Sequence, residues 1–202
     1  MKNLGVVLWI LMIGSLGYSQ KYKVEIVTED ISNRIAFYAL NKNEKDLDVL
    51  LTISGTNFRQ SRGRPRFIRV PATSKVHMKT IVLMRDKTPT YTYKLQINDS
   101  LSSRSLIKEY EEIKIDPPNN ILVYITEGCQ TCDSLISALD SSKYNYKKME
   151  VEGGTSLYEQ LQMSFGPEVP LDSIVTPIVN IGGKLFTRLE TYDLVVKEAL
   201  KP

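Results

Sequence analysis

The chain has 202 residues, 42% of them hydrophobic, and a formal net charge of +3. One histidine and two cysteines fall short of the four ligands that zinc wants, and so small a net charge does not mark a nucleic-acid binder. The total conceals two halves of opposite sign: 18 Lys and Arg against 12 Asp and Glu over residues 20–118, then 7 against 11 over residues 119–202. Two units that attract each other are expected, and about 180 residues suit either one larger domain or two small ones.

Lys2 stands before the uncharged run Leu4 to Leu16, followed by Gly17-Tyr18-Ser19. A positive start, a short apolar run and small residues at 17 and 19 read as a secretory signal peptide over residues 1–19, cleaved after Ser19. The run falls short of the ~20 apolar residues that cross a bilayer. No cysteine near the cut could carry a lipid. An exported chain, periplasmic or secreted, is the expectation, with no stable membrane span after cleavage.

Residues 20–115 read as strands. "YKVEIV" (22–27), "RIAFYAL" (34–40), "DVLLTIS" (48–54), "RFIRV" (66–70), "KVHMKTIVL" (75–83) and "TYTYKLQI" (90–97) are rich in Val, Ile, Tyr and Thr. Several alternate apolar and other residues, as a half-buried strand requires. The stretches between them carry the Gly, Pro, Asn and Asp of turns. An immunoglobulin-like antiparallel β-sandwich is expected on this pattern. "LIKEYEEIKI" (106–115) fits a last strand or a short helix equally. Arg59, Arg62, Arg64, Arg66 and Arg69 form a basic run that suits an acidic partner, the acidic second half included, or a solvated hairpin loop. Aromatic residues are too sparse among them for a nucleic-acid platform.

"DPPNN" (116–120) reads as a linker, because paired prolines join neither a helix nor a central strand. Beyond it, over residues 121–202, the pattern changes. "ILVYIT" (121–126) is a continuous apolar run, as for a strand buried on both faces. Leu135, Ile136 and Leu139 fall at helical spacing. "YKKMEVE" (146–152) is a second strand, and Thr155 can cap a helix carrying Leu157, Leu161 and Phe165 inward. "PIVNI" (177–181), Gly182-Gly183 and "KLFTRL" (184–189) form a hairpin, and "ETYDLVVKEAL" a closing helix.

Cys129-Gln130-Thr131-Cys132 follows the first strand of this unit and opens its first helix; Thr176-Pro177 directly precedes the third strand. In order and motif, residues 120–201 resemble the thioredoxin superfamily, in its glutaredoxin-like branch. The resemblance implies an α/β thioredoxin/glutaredoxin-like fold and a cis peptide bond at Pro177 facing the cysteines. It also implies Cys129 as nucleophile, Cys132 as resolving thiol, and substrate pairing along Thr176 and Pro177. The helix N-terminus would favour a Cys129 thiolate, whereas Glu127 and Asp133 beside the pair would oppose it. The lysine and the Gly-Gly-x-Asp stretch with which many glutaredoxins hold glutathione are not matched; "TRLETYD" stands at the later position. Glutathione is therefore not expected, and no cofactor is implied beyond a redox-active Cys129–Cys132 disulfide.

Two other readings of the pair stay open. It could be a structural disulfide in an exported protein, although so small a loop constrains the unfolded chain little. Two thiolates could also take copper(I). His77 lies in the first unit, where an ordinary sheet histidine is the expected reading. The function expected is an exported thiol–disulfide oxidoreductase with a protein or small-molecule disulfide as partner and no nucleic acid. The alternative is a non-catalytic envelope or binding protein with an inert disulfide.

Overall fold

The computed structural model describes residues 22–201. The expected signal segment lies outside them. Among the described residues no helix is long and apolar enough to cross a membrane.

The chain runs β1 (Glu25–Ile31), β2 (Arg34–Asn41), β3 (Leu47–Thr56), β4 (Phe58–Arg59), β5 (Ile68–Val70), β6 (Ser74–Leu83), β7 (Thr90–Asn98) and β8 (Tyr110–Glu112). It continues with β9 (Ile121–Thr126), α1 (Cys132–Asp140), β10 (Tyr146–Val151), α2 (Ser156–Phe165), β11 (Ile178–Ile181), β12 (Lys184–Phe186) and α3 (Tyr192–Ala199). A 3-10 turn, Leu171–Ser173, precedes β11.

The first eight strands build two sheets. One has the order β1-β2-β6-β4, with β8 also on β6; the other has the order β5-β3-β7. Alternation explains the core between them. Leu47, Val49, Leu51 and Ile53 of β3 point inward, and Ile35, Phe37 and Ala39 of β2 meet them with Val76, Met78 and Ile81 of β6. Phe37 and Tyr91 cross from one sheet to the other as an edge-to-face pair, centroids 5.3 Å apart. The change of phase along β6 comes from an irregularity between Phe37 and Tyr38, where one residue of β6 is skipped in the pairing. "LIKEYEEIKI" resolves as strand: Tyr110, Glu111 and Glu112 pair with Val76, Lys75 and Ser74.

At Gly55 the backbones of β3 and β7 approach closely. A Cβ there would lie 2.0 Å from the Thr90 carbonyl oxygen, on a backbone with φ 156°. Gly55→Ala should therefore separate the outer end of β7 from β3 and destabilise the chain by roughly 1–3 kcal/mol. Denaturant midpoints would measure it; an unchanged midpoint would mean the contact relaxes at no cost.

The remaining strands form a third sheet, β10-β9-β11-β12, with β10 parallel and β11 antiparallel to β9. Both faces of β9 are covered, which accounts for its unbroken apolar run. Ile121 and Val123 pack with Leu135 and Leu139 of α1 and Val195 and Ala199 of α3. Tyr124 packs with Leu161 of α2 and with Leu171 and Ile174. Gly182 and Gly183, at φ 57° and 89°, make the two-residue turn between β11 and β12.

The segment 116–120 is fastened at both ends. Ile115 bridges to Tyr144, and the Asn119 side chain donates to the carbonyls of Ala199 and Lys201 at 3.2 and 2.7 Å. Between the units, Glu44 accepts from the Tyr144 hydroxyl and pairs with Lys143 at 2.8 Å. Lys114 donates to the Asp140 carbonyl at 2.9 Å, placing a cation at the negative end of α1.

The fold class expected from sequence is corrected by this architecture. Among the described residues the structure is mostly β, 41% strand against 17% helix, spread over three sheets with three α-helices, and no thioredoxin-type α/β fold is evident in them. The assignment as an immunoglobulin-like sandwich followed by an α/β thioredoxin/glutaredoxin-like fold does not stand. The Thr176–Pro177 bond is not cis, contrary to what the resemblance implies. The physical reason is that periodicity locates strands and helices without saying how strands are shared among sheets. Nor does it set a prolyl isomer whose two forms differ by only about 0.5–1 kcal/mol.

Candidate redox site

β9 ends at Thr126, and the chain turns at once: the Cys129 N–H donates to the Thr126 carbonyl at 3.1 Å. The Gln130 N–H donates to the Val175 carbonyl at 2.8 Å, tying the segment between the cysteines to the loop before β11. Cys129 and Cys132 are joined as a disulfide, their Cα atoms 5.7 Å apart. Cys132 lies on the stripe of α1 that carries Leu135 and Leu139 inward, and it is 2% exposed. Cys129 precedes the helix and stays partly exposed. The two sulfur-bearing residues therefore differ in access because helical spacing carries one of them, and only one, into the core.

No family model matches this chain, and no curated protein or solved structure matches it.

The loop before β11 is hydrogen-bonded to the segment between the cysteines at Val175, directly before Thr176 and Pro177. The Thr176 hydroxyl donates to the Thr187 carbonyl at 2.7 Å, and Pro177 is buried. Val175 is 45% exposed, an apolar surface beside Gln130. Nothing in its local sequence marks it, since its placement depends on a hydrogen bond across 45 positions.

Beside the turn lies a hollow of about 420 Å³ lined by Thr126, Glu127, Glu152, Tyr158 and Asp172 among others. Burial pushes the Tyr158 hydroxyl up, and the neighbouring Asp172 carboxylate adds to this. Glu152, Tyr158 and Asp172 come from three segments, so their convergence is invisible along the chain.

His77 lies on β6, its Nε2 2.8 Å from the Thr80 hydroxyl, in the first unit. Among the described residues no group of three His, Cys, Asp or Glu could hold a metal ion. Of the five arginines, Arg69 is engaged by Asp48 at 3.0 Å; Arg59, Arg62, Arg64 and Arg66 are in no ion pair among the described residues.

The start of α1 has an unsatisfied cap. Thr131 stands at the N-cap without a side-chain hydrogen bond, and its Oγ1 is buried with no partner among the described residues. Thr155, at the start of α2, accepts from the Tyr158 N–H at 3.2 Å and donates to the Glu152 carbonyl at 2.7 Å. Thr131→Val should leave stability unchanged or raise it, because a buried hydroxyl without a partner costs about 1–3 kcal/mol. Thr155→Ala should cost about 1 kcal/mol. Equal losses for the two, read from thermal melts, would mean that Thr131 does cap its helix.

Proposed function

We propose that this chain is an exported thiol–disulfide oxidoreductase working through Cys129 and Cys132. The observation that carries the reading is the asymmetry of the pair: a partly exposed cysteine just before α1, bonded to a buried one in its first turn. In the reduced protein the Cys129 thiolate attacks one sulfur of a substrate disulfide, forming a mixed disulfide and releasing the first substrate sulfur as a thiolate. The Cys132 thiolate then attacks Cys129 Sγ. The second substrate sulfur leaves, and two electrons have passed from the pair to the substrate. An external dithiol must reduce the pair again; run in reverse, the same steps oxidise a substrate dithiol. Export rests on the Lys2 and Leu4–Leu16 segment.

A redox titration of the pair in graded thiol–disulfide buffers, combined with an insulin-reduction assay, tests the reading. A potential near about −270 mV would make the protein a reductant and one near about −120 mV an oxidant. A pair that exchanges with no disulfide and is reduced only on unfolding would be a structural link, and the oxidoreductase reading would fall.

A further inference from the structure

Away from the redox site, Arg64, Arg66 and Arg104 line two adjoining hollows that share Arg66. The first, about 260 Å³, is lined by Arg64, Arg66, Lys79 and Lys108 around an apolar floor that includes Ile68, Met78 and Leu106. The second, about 430 Å³, is lined by Arg66, Phe67 and Arg104 with Ser102 and Ser105. Five cations line this trough, and no carboxylate lines either hollow. Arg69, the neighbouring arginine that does meet a carboxylate, lines neither.

Lys108 sharpens the point. Its ammonium donates to the carbonyls of His77 and Met78 at 3.0 and 3.1 Å. Among the described residues it has no acidic partner, and burial pushes its ammonium down. A partly desolvated cation without a counterion gains when an anion arrives. The acidic second half of the chain does not supply that anion. Among the described residues its ion pair with the first unit is Lys143 with Glu44, not a carboxylate with the trough.

We propose that this trough is a docking groove for an extended acidic peptide that also carries apolar side chains. The cations match its carboxylates, and Ile68, Met78, Leu106 and Phe67 match its apolar residues. A sugar–phosphate or polysaccharide chain has no side chains to fill such a floor. Phe67 alone offers no succession of stacking platforms for bases, and a concave site does not follow a flat bilayer. Rim charges of this kind steer encounter and weaken with salt.

The test is a random-peptide display selection on the full chain, followed by titration of the strongest peptide by fluorescence anisotropy. Selected peptides should be rich in Asp and Glu with apolar residues between them. Arg64→Glu combined with Arg66→Glu should weaken binding by about tenfold or more, equivalent to about 1.4 kcal/mol. Arg104→Glu should weaken it less, and added salt should weaken it in the unsubstituted chain. Circular dichroism checks that the variants are folded; these side chains are exposed and unpaired, so folding should survive. A selection without acidic enrichment, or binding indifferent to Arg64 and Arg66, overturns the proposal. So does tighter binding of a single-stranded oligothymidine or of phosphatidylglycerol vesicles through the same arginines, or a dimer of this chain that the double substitution dissolves.

Discussion

Cys132→Ser, reduced and mixed with a disulfide substrate, should accumulate a covalent adduct, while Cys129→Ser should accumulate almost none. The reason lies in where α1 begins. Cys129 precedes the helix and is partly exposed, so on the proposed mechanism it would form the mixed disulfide in either background that retains it. Resolution would need a second thiolate close by, and Cys132 lies at a Cα separation of 5.7 Å. With serine at 132 the adduct has no internal route of release. Turnover in an insulin-reduction assay should fall in both variants to the background rate of the added thiol. Non-reducing electrophoresis reads the adduct, and alkylation of the reduced unsubstituted chain reads the order of access. Prior labelling of Cys132, or full turnover in either variant, would reverse or dismiss the assigned roles.

Asp48→Ala should destabilise the first unit by about 2–4 kcal/mol, because it removes the buried acceptor of the Arg69 guanidinium, the Ser102 N–H and the Ser105 hydroxyl together. For a chain of this size that is a fall in melting midpoint on the order of 10 °C. The Asp48 side chain is fully buried although it lies on the outward phase of β3, under the loop that follows β7. Its carboxylate accepts from Arg69 Nε at 3.0 Å, from the Ser102 N–H at 2.6 Å and from the Ser105 hydroxyl at 2.7 Å. Arg69 in turn donates to the Ser102 carbonyl at 2.8 Å. One side chain thus pins a loop more than fifty positions away, and truncation releases all of these donors at once.

The same group predicts an acid limit. Burial pushes the Asp48 carboxyl up, but Arg69, the Ser102 N–H and the Ser105 hydroxyl outweigh burial and hold it below the usual carboxylate range. A depressed folded value means that this stabilisation is complete above the unfolded carboxyl value of ~3.9 and is lost as pH falls through the folded one. Stability of the unsubstituted chain should therefore decline below about pH 4, and Asp48→Asn should decline less steeply while starting lower. Glu25 and Glu29 are also held down by lysine partners, Lys42 and Lys75. Exposed pairs of that kind contribute little, so their removal should not flatten the acid limb. Identical acid slopes with and without Asp48 would assign the limb to other groups.

The positions of strands and helices were largely legible along the chain, because both leave a local period. Leu47, Val49, Leu51 and Ile53 alternate as β3 does, and Leu135 and Leu139 repeat as α1 does. The motif itself, two cysteines spaced across a helix start, was equally plain, and the structure closes them as a disulfide. Only tertiary structure decided the division of the strands into three sheets, the strand character of Tyr110–Glu112, and the pairing of the two-residue β4 with β6. It also decided that the Val175 carbonyl takes the Gln130 N–H between the cysteines, and that Arg69 leaves the basic run for Asp48 while Arg66 joins Arg104. The division has one cause. A side chain's inward or outward phase follows from its own few neighbours, whereas a sheet partner, a buried counter-charge or a shared hollow is set by residues tens of positions away, whose approach no local pattern encodes.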